Sequence, residues 1–371
     1  MSYRRDKLLQ GLDIAGGSGI EIGALAWPFI TKADGDVTYV DWADTPTLRK
    51  KYAGDANVPL DRIVQVDAVW GEKTLSEAVG VDRRFDYVVA SHVVEHVPDL
   101  ITWIRELFGV LKPSGEVRLA VPDKRFTFDF LRRETELADV IDAHLHQARK
   151  PMSRLVLDAL INYRDVDIHS LWAKTVDLST LQPLPDHVPG AIEMARRAMG
   201  NDYTDVHCWV FTPVSFARLM EQVVAIGMLD CACVSFTDTA QDNIEFFIGL
   251  REETDRAAAV ASWRAVYDQA LRGSARLHAD LESTPIRHQI HAVAPPVDPS
   301  PDRADAAEAR EAAANARLLQ AEARLLQAED RAAGLAARLD EAERHMQALK
   351  QSRSWRITAP LRSVSTLLGR R

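Results

Sequence analysis

The chain has 371 residues, of which 47% are hydrophobic and 27% charged, a balance typical of a globular protein with one large or two ordinary domains. Its formal net charge of −9 disfavours nucleic acid as the main partner, because phosphate binding needs a positive field. Its three cysteines have neither CxxC nor zinc-ligand spacing, which indicates reduced thiols. No apolar run approaches the roughly 18 residues of a membrane-spanning helix, and MSYRRDKLLQ lacks the apolar stretch of an export signal, so we expect a cytoplasmic protein.

Short apolar runs alternate with helical segments in the first third of the chain, which predicts a parallel sheet covered by helices. The predicted strands are residues 19–22, 37–40, 63–66, 85–90 and 116–121. Between the last two strands, apolar residues recur at three- and four-residue intervals over 100–111. This spacing predicts a helix that ends at the Lys-Pro-Ser-Gly turn over 112–115.

The alternation is lost after residue 123, where the sequence becomes rich in His, Arg and Asp. Helix-like patterns at 131–145 and 154–162 predict a helical lid over about 124–210. Two strand-like runs at 231–237 and 244–250 lie close enough to pair antiparallel and complete the sheet. We therefore predict one domain over residues 1–250, followed by a helical extension over 251–283.

The last part of the chain is expected to form three further segments. Five prolines mark a linker over 284–303. The heptads ARLLQAE, ARLLQAE, DRAAGLA, ARLDEAE and RHMQALK predict a C-terminal coiled coil over 304–351 and hence a homo-oligomer, the alternative being a solitary charged helix. The basic tail over 352–371 carries Trp355 among aliphatic residues, so it could lie against a membrane or dock a partner.

Two acidic residues follow successive predicted strands. Asp41 closes VTYVD, 18 residues after Gly23, so its carboxylate could accept hydrogen bonds from both hydroxyls of a nucleotide ribose. Asp67 closes IVQVD beside Ala68 and could accept from an adenine amino group. A lone aspartate at a strand end is more often a helix cap, but two after successive strands favour a ligand site.

The turn EIGALAWPF precedes these acids by one strand. Gly23 permits a close backbone approach to a ligand, and Glu21 occupies a position suited to anchoring the loop. Ala24 and the residues after it stand where a glycine-rich loop would continue, so this turn alone is a weak motif. The predicted cofactor contacts are Glu21, Gly23, Ala24, Asp41, Trp42, Asp67, Ala68, Ser91 and His92.

The end of the fourth strand reads ASHVVEH and is the first place to look for a general base. We predict that His92 fills this role as a neutral imidazole near a helix N-terminus, the alternative being a structural histidine beside the cofactor. Glu95 and His96 are expected to lie in the following helix. Asp123 and His207 are the other catalytic candidates.

Taken together, these residues resemble the class I S-adenosylmethionine-dependent methyltransferases of the type 11 group. The resemblance rests on the E-I-G-A turn, V-D-A, FDYVVASHVVEHVPDL and LKPSGEVRLAVPD, and it covers residues 19–121, more loosely to 250. It implies a Rossmann-like α/β fold with seven strands, a reversed final hairpin and S-adenosylmethionine bound over the first two strands. DKRFTFDFLRRETELADVIDAH and DVHCWVFTPVSF are further similar to methyltransferases among bacterial surface-polysaccharide (O-antigen and other glycan) biosynthesis enzymes.

The histidines of the predicted lid have no diagnostic metal spacing. His144 and His146 are two residues apart and would point in different directions on a helix. Asp123 and Asp205 could supply oxygen ligands, but nothing in the pattern selects them, so the sequence assigns no metal ligands. The lid histidines are His144, His146, His169, His187 and His207.

These patterns predict an enzyme that O-methylates a saccharide or glycolipid acceptor in cell-surface polysaccharide biosynthesis. The coiled coil and tail would hold it near the inner face of the membrane. The segment SRSWRITAPLR resembles the C-terminal tails of bacterial glycosyltransferases, so a glycosyltransferase is a possible partner. Two alternatives stay open. One is a non-catalytic scaffold that organises glycosyltransferases, which the missing glycines favour; the other is a methyltransferase for a small metabolite or a lipid-linked precursor.

Overall fold

A computed structural model describes residues 3–173, 175–176, 187–200 and 203–279. The predicted linker, coiled coil and basic tail lie outside the described residues and stay predictions. None of the described helices combines the length and the hydropathy that crossing a membrane requires.

Seven strands form the sheet of the described residues, in the order β3-β2-β1-β4-β5-β7-β6. The strands are β1 (Ser18–Ile22), β2 (Asp36–Asp41), β3 (Ala68–Val69), β4 (Phe85–Ser91), β5 (Leu111–Pro122), β6 (Cys231–Thr237) and β7 (Glu245–Glu252). The first five run parallel, whereas β7 is antiparallel to both β5 and β6. This confirms the expected α/β sheet with a reversed final hairpin, whose strand order reverses between β1 and β4.

Ten α-helices accompany the sheet in the described part of the chain. They are α1 (Tyr3–Leu8), α2 (Thr45–Lys51), α3 (Leu75–Val79), α4 (Leu100–Gly109), α5 (Leu137–Leu145), α6 (Ser153–Asn162), α7 (Ile168–Ala173), α8 (His187–Met199), α9 (Pro213–Ala225) and α10 (Arg256–Ala279). Helices α5 to α8 lie in the segment between β5 and α9 that was predicted to be helical.

The core lies on both faces of the central strands, which explains their nearly continuous apolar sequences. In one cluster of the core, α4 packs against β5, and α10 packs against β6 and α9. Trp263 of α10 is fully buried there and donates its indole N–H to the carbonyl of Cys231 (2.8 Å). Burial of each large apolar side chain of this kind contributes about 1.5–3 kcal/mol.

The predicted strand over 63–66 is wrong. These residues are irregular, and the strand that pairs with β2 is only Ala68–Val69. Ile63 and Val66 are buried in a small cluster beneath the loop after β1. The apolar character of this run therefore reflects packing under a loop and not pairing in a sheet. The amide of Val66 donates to the hydroxyl of Thr45 (2.9 Å) and not to a neighbouring strand.

Two helix boundaries also differ from the prediction. Helix α5 begins only at Leu137, where Glu136 and Asp139 form a reciprocal capping box. Glu95 and His96 lie in a turn, because α4 begins at Leu100.

Candidate active site

The loop after β1 touches the loop after β4, at the sheet edge where the strand order reverses. Gly23 has a φ of +69°, and its amide donates to the carbonyl of Val40 on β2 (3.0 Å). A Cβ at this position would lie 3.0 Å from Cγ2 of Val93, next to His92. Both the backbone conformation and the close contact therefore favour glycine here.

Glu21 anchors the loop, as the sequence suggested. Its carboxylate is buried and accepts hydrogen bonds from the amides of Phe29 (2.7 Å) and Ile30 (2.9 Å). Burial raises the pKa of Glu21 to about 7, although these backbone hydrogen bonds oppose the shift. Ala24 is also buried, so a ligand could contact it only through its backbone. The loop path is thus fixed without further glycines.

Asp41 lies at the tip of β2, where a ribose is expected. The Trp42 amide donates to its Oδ1 (2.8 Å), and a carboxylate offers further acceptor sites. Burial raises the pKa of Asp41 to about 6, partly opposed by the Trp42 amide and the charge of Lys51. The Trp42 ring beside it is 51% exposed, with Nζ of Lys51 at 4.8 Å from the ring centroid. A carboxylate beside an exposed aromatic face suits a nucleoside.

Asp67 does not close a strand. It precedes β3, and its Oδ2 accepts from the amide of Tyr39 (2.8 Å) and from Nζ of Lys32 (2.7 Å). Because Val69 pairs with Asp41, the tip of β3 is formed by Val69, and Asp67 lies about 6–7 Å further from the edge. The predicted position of Asp67 at a strand end is therefore wrong, whereas the adenine contacts of Asp67 and Ala68 stay predictions.

His92 follows β4 in the left-handed region, with a φ of +53°. Its Nε2 lies 2.7 Å from Oε2 of Glu245, a buried residue at the start of β7. Arg4 forms a two-point ion pair with Glu245 and also donates to Oγ of Ser91 (3.2 Å). Glu245 and Arg4 thus fix the imidazole from the side opposite Nδ1.

The electrostatic setting of His92 differs from the prediction. The next helix along the chain, α4, begins only at Leu100, eight residues after His92. The neighbours of the ring are instead the carboxylates of Glu245 and, 3.8 Å from Nδ1, of Glu95. Burial tends to raise the pKa of Glu245, but hydrogen bonds from His92 and Arg4 outweigh it and hold that pKa below its usual value.

Two further histidines meet beside Glu95. The rings of His96 and His207 pack edge to face with centroids 4.7 Å apart. The carbonyl of Glu95 accepts from the amides of Cys208 (2.6 Å) and Trp209 (3.2 Å), which ties the β4–α4 turn to the segment leading into α9. Topology therefore brings together residues more than a hundred positions apart.

Each of these histidines is held by an acid through Nδ1. Nδ1 of His96 lies 2.9 Å from Asp205, which also pairs with Lys51 (2.9 Å). Nδ1 of His207 lies 2.5 Å from Asp129. Burial disfavours the charged form of His96, yet the hydrogen bond to Asp205 and the charge of Glu95 dominate and raise its pKa.

Asp123, a predicted catalytic candidate, is held by hydrogen bonds within the fold. Its carboxylate is fully buried, and Arg125 donates to both oxygens (2.9 and 3.0 Å from Nε). Thr239 donates a further hydrogen bond to Oδ2 (2.7 Å). A carboxylate enclosed in this way is not placed to accept a proton from a substrate.

The other lid histidines with described side chains do not join this cluster. His144 contacts Asp99, the cap of α4 (3.1 Å), and His146 contacts the carbonyl of Asp142 (2.8 Å). His169 lies 3.9 Å from Asp242. The side chain of His187 is not among the side chains that the structure describes.

Sequence reasoning missed Glu245, Arg4 and Asp129. One signal was available for Glu245: it is a lone acid in the otherwise apolar strand run IEFFIGL, and buried charges need partners. Nothing in the local sequence connects Arg4 or Asp129 to the site.

Parts of this chain are similar in sequence to known proteins. A family profile described as a methyltransferase domain matches residues 3–223, more than half of the chain. The chain is 32% identical over 105 residues to proteins named ubiquinone biosynthesis O-methyltransferase from Methylobacterium sp. (strain 4-46) and Methylobacterium nodulans. The match covers 28% of this chain and 37% of each relative, so the chain spans about a third of the length of these relatives.

Solved structures show weaker likenesses. The CcbJ methyltransferase from Streptomyces caelestis is 18% identical with a TM-score of 0.25, covering 36% of this chain and 56% of CcbJ. The DhpI–SAH complex is 17% identical with a TM-score of 0.29, covering 64% of this chain and 77% of DhpI. At such low scores these likenesses add nothing to the observed sheet order.

Proposed function

This chain belongs to the methyltransferase-domain family, and on that basis we propose that it transfers a methyl group to a hydroxyl of a cell-envelope saccharide. Its cofactor is S-adenosylmethionine, which supplies a methyl group already activated on a sulfonium centre. The observation that carries the proposal is that the loop of Gly23, beside Asp41 at the tip of β2, lies against the turn that holds the oriented imidazole of His92.

The cofactor edge fits a nucleoside in three respects. Asp41 offers acceptor sites to ribose hydroxyls, and burial around it strengthens each such hydrogen bond. Trp42 presents an exposed aromatic face. Gly23 leaves room where a side chain would collide with Val93, so a ligand can approach the loop backbone.

His92 is the candidate for proton removal from a hydroxyl acceptor. Glu245 occupies its Nε2 as hydrogen-bond partner, which leaves Nδ1 as the nitrogen that can accept a proton. Glu245 and its partner Arg4 are positioning residues, since they orient the ring without reaching Nδ1. Such general-base assistance contributes about 10²–10⁴-fold to a rate.

Two observations bear on the acceptor. The similarity of DKRFTFDFLRRETELADVIDAH and DVHCWVFTPVSF to surface-polysaccharide methyltransferases supports a saccharide. The relatives named for ubiquinone biosynthesis support O-methylation and favour a small metabolite as the second candidate. Attachment to the membrane face through residues 352–371, which lie outside the described ones, is part of the same proposal.

The test is transfer of label from methyl-labelled S-adenosylmethionine to fractionated acceptors: envelope saccharides, lipid-linked precursors and small metabolites. We expect label in the saccharide fraction with the natural chain and a large loss of transfer with His92→Asn. Label confined to small metabolites would replace the saccharide proposal by the second candidate. No cofactor binding at millimolar concentration would contradict the enzymatic proposal itself.

A further inference from the structure

We propose that Glu95, His96 and His207 bind a divalent transition-metal ion of the zinc class. One ligand atom from each residue lies within 4.8 Å of the others, and these three form the metal-competent cluster of the described residues. Two ligands come from the β4–α4 turn and the third from the end of the lid, which is why sequence spacing gave no sign of the site.

Glu95 supplies the first argument. Its side chain is 1% exposed, and neither carboxylate oxygen has a hydrogen-bond partner among the described residues. A buried carboxylate without a partner is strongly unfavourable, so such a group is expected to be paired or to coordinate a metal. Nδ1 of His92 and Nε2 of His207 lie 3.8 and 3.9 Å from Oε1 of Glu95, both beyond hydrogen-bond distance.

The two histidines supply the second argument. Asp205 accepts from Nδ1 of His96, and Asp129 accepts from Nδ1 of His207. Each Nε2 is therefore left as the lone-pair nitrogen, the tautomer that binds metal. A carboxylate behind each ligating imidazole is the usual outer shell of a zinc site.

The three ligand atoms lie within 4.8 Å of one another and would draw closer around a bound ion. Zinc–nitrogen and zinc–oxygen bonds are about 2.0–2.2 Å, so tetrahedral ligand atoms lie about 3.4 Å apart. Oε1 of Glu95 and Nε2 of His207 are 3.9 Å apart, which a small side-chain rotation would correct. The backbone hydrogen bond from Cys208 to Glu95 already holds the two segments in register.

The donor set selects the kind of ion. Two imidazoles and one carboxylate suit zinc, cobalt or nickel, whereas magnesium and calcium prefer oxygen ligands only. Three protein ligands leave a position open on a four-coordinate ion. If the proposed function holds, the acceptor hydroxyl would bind at that open position, because a Lewis acid favours ionisation of the hydroxyl.

The test uses the full chain stripped with a chelator and then titrated with Co²⁺, followed by visible absorption and calorimetry, with Zn²⁺ as competitor. We expect one equivalent to bind with the absorption of a four-coordinate ion, and Zn²⁺ to displace it. Glu95→Gln and His207→Gln should abolish this signal. Asp205→Asn should weaken binding by about 10–100-fold, whereas His146→Gln, at the exposed end of α5, should leave it unchanged.

Thermal unfolding distinguishes loss of metal binding from failure of a variant to fold. We expect Zn²⁺ to raise the melting temperature of the natural chain and not that of Glu95→Gln, while metal-free Glu95→Gln melts no lower than the metal-free natural chain. Absence of Co²⁺ binding at 1 mM, or equal binding by Glu95→Gln, would overturn the proposal. Titration with S-adenosylmethionine in the same preparations separates this failure from that of the proposed function, because retained cofactor binding would leave that function standing.

Discussion

The two halves of the proposed site are built differently: a cofactor half around Glu21, Gly23 and Asp41, and an acceptor half around His92, His96 and His207. In the cofactor half, Glu21 reaches amides eight and nine residues away, and Asp41 contacts its own neighbour. In the acceptor half, partners are far apart in the chain: 153 residues separate His92 from Glu245, and 109 separate His96 from Asp205. The first half is encoded locally, whereas the second exists only once the hairpin and the lid have folded onto the sheet.

The halves also differ in charge. Burial raises the pKa values of Glu21 and Asp41, and the opposing backbone hydrogen bonds and the charges of Arg5 and Lys51 do not cancel the shifts. In the acceptor half, Asp129, Asp205 and Glu245 are paired with histidines, and their pKa values lie below the usual range. Changes in one half should therefore affect cofactor binding, and changes in the other should affect turnover.

The largest effect on stability should come from a residue that serves neither half. Asp123→Asn leaves Arg125 without its buried counter-charge, so we expect a loss of about 3 kcal/mol in the free energy of unfolding. Urea unfolding measures this loss. The kcat of the folded fraction should stay within about twofold; a stable variant with lost kcat would restore Asp123 to the catalytic set.

His92→Asn should lower kcat by about 10²–10³-fold, because proton removal from the acceptor is lost. Asparagine tolerates the positive φ at this position, so the backbone should be preserved. Initial rates at saturating cofactor measure the effect, with the exposed His146→Asn as matched control. A kcat equal to that of the control would show that His92 is structural.

Asp41→Asn should weaken S-adenosylmethionine binding by about 30-fold, or about 2 kcal/mol, because a hydrogen bond to a charged group is replaced by one to a neutral amide. Equilibrium titration measures this loss. The scaffold alternative makes the opposite prediction, that the biological output survives the loss of this carboxylate. That outcome would argue against catalysis as the role of the chain.

The smallest effect should be on pH dependence. With a pKa of about 6, Asp41 is mostly protonated at pH 5 and mostly ionised at pH 7. The ionised form accepts the ribose hydrogen bonds, so affinity should increase about tenfold between pH 5 and pH 7. Titrations across this range test the midpoint. The same series with Asp41→Asn should be flat, and a slope that persists there would assign the titration to another group.

The sequence predicts the strand positions of the proposed cofactor half well because its signals are local. Strand periodicity located β1, β2, β4 and the final hairpin, and Gly23, Glu21 and Asp41 followed from their positions at strand ends. Asp67 was misplaced because apolar alternation does not distinguish pairing in a sheet from packing under a loop. The acceptor half was only partly predictable: His92 and His207 stood out by residue type, but their partners depend on tertiary contacts.

One paired experiment tests the separation of the two halves most directly. S-adenosylmethionine affinity and kcat are measured on the same preparations of the natural chain, Asp41→Asn and His92→Asn. We predict weakened affinity for Asp41→Asn and unchanged affinity with collapsed kcat for His92→Asn. Equal loss of affinity in both variants, or no binding by the natural chain at millimolar cofactor, would contradict the account.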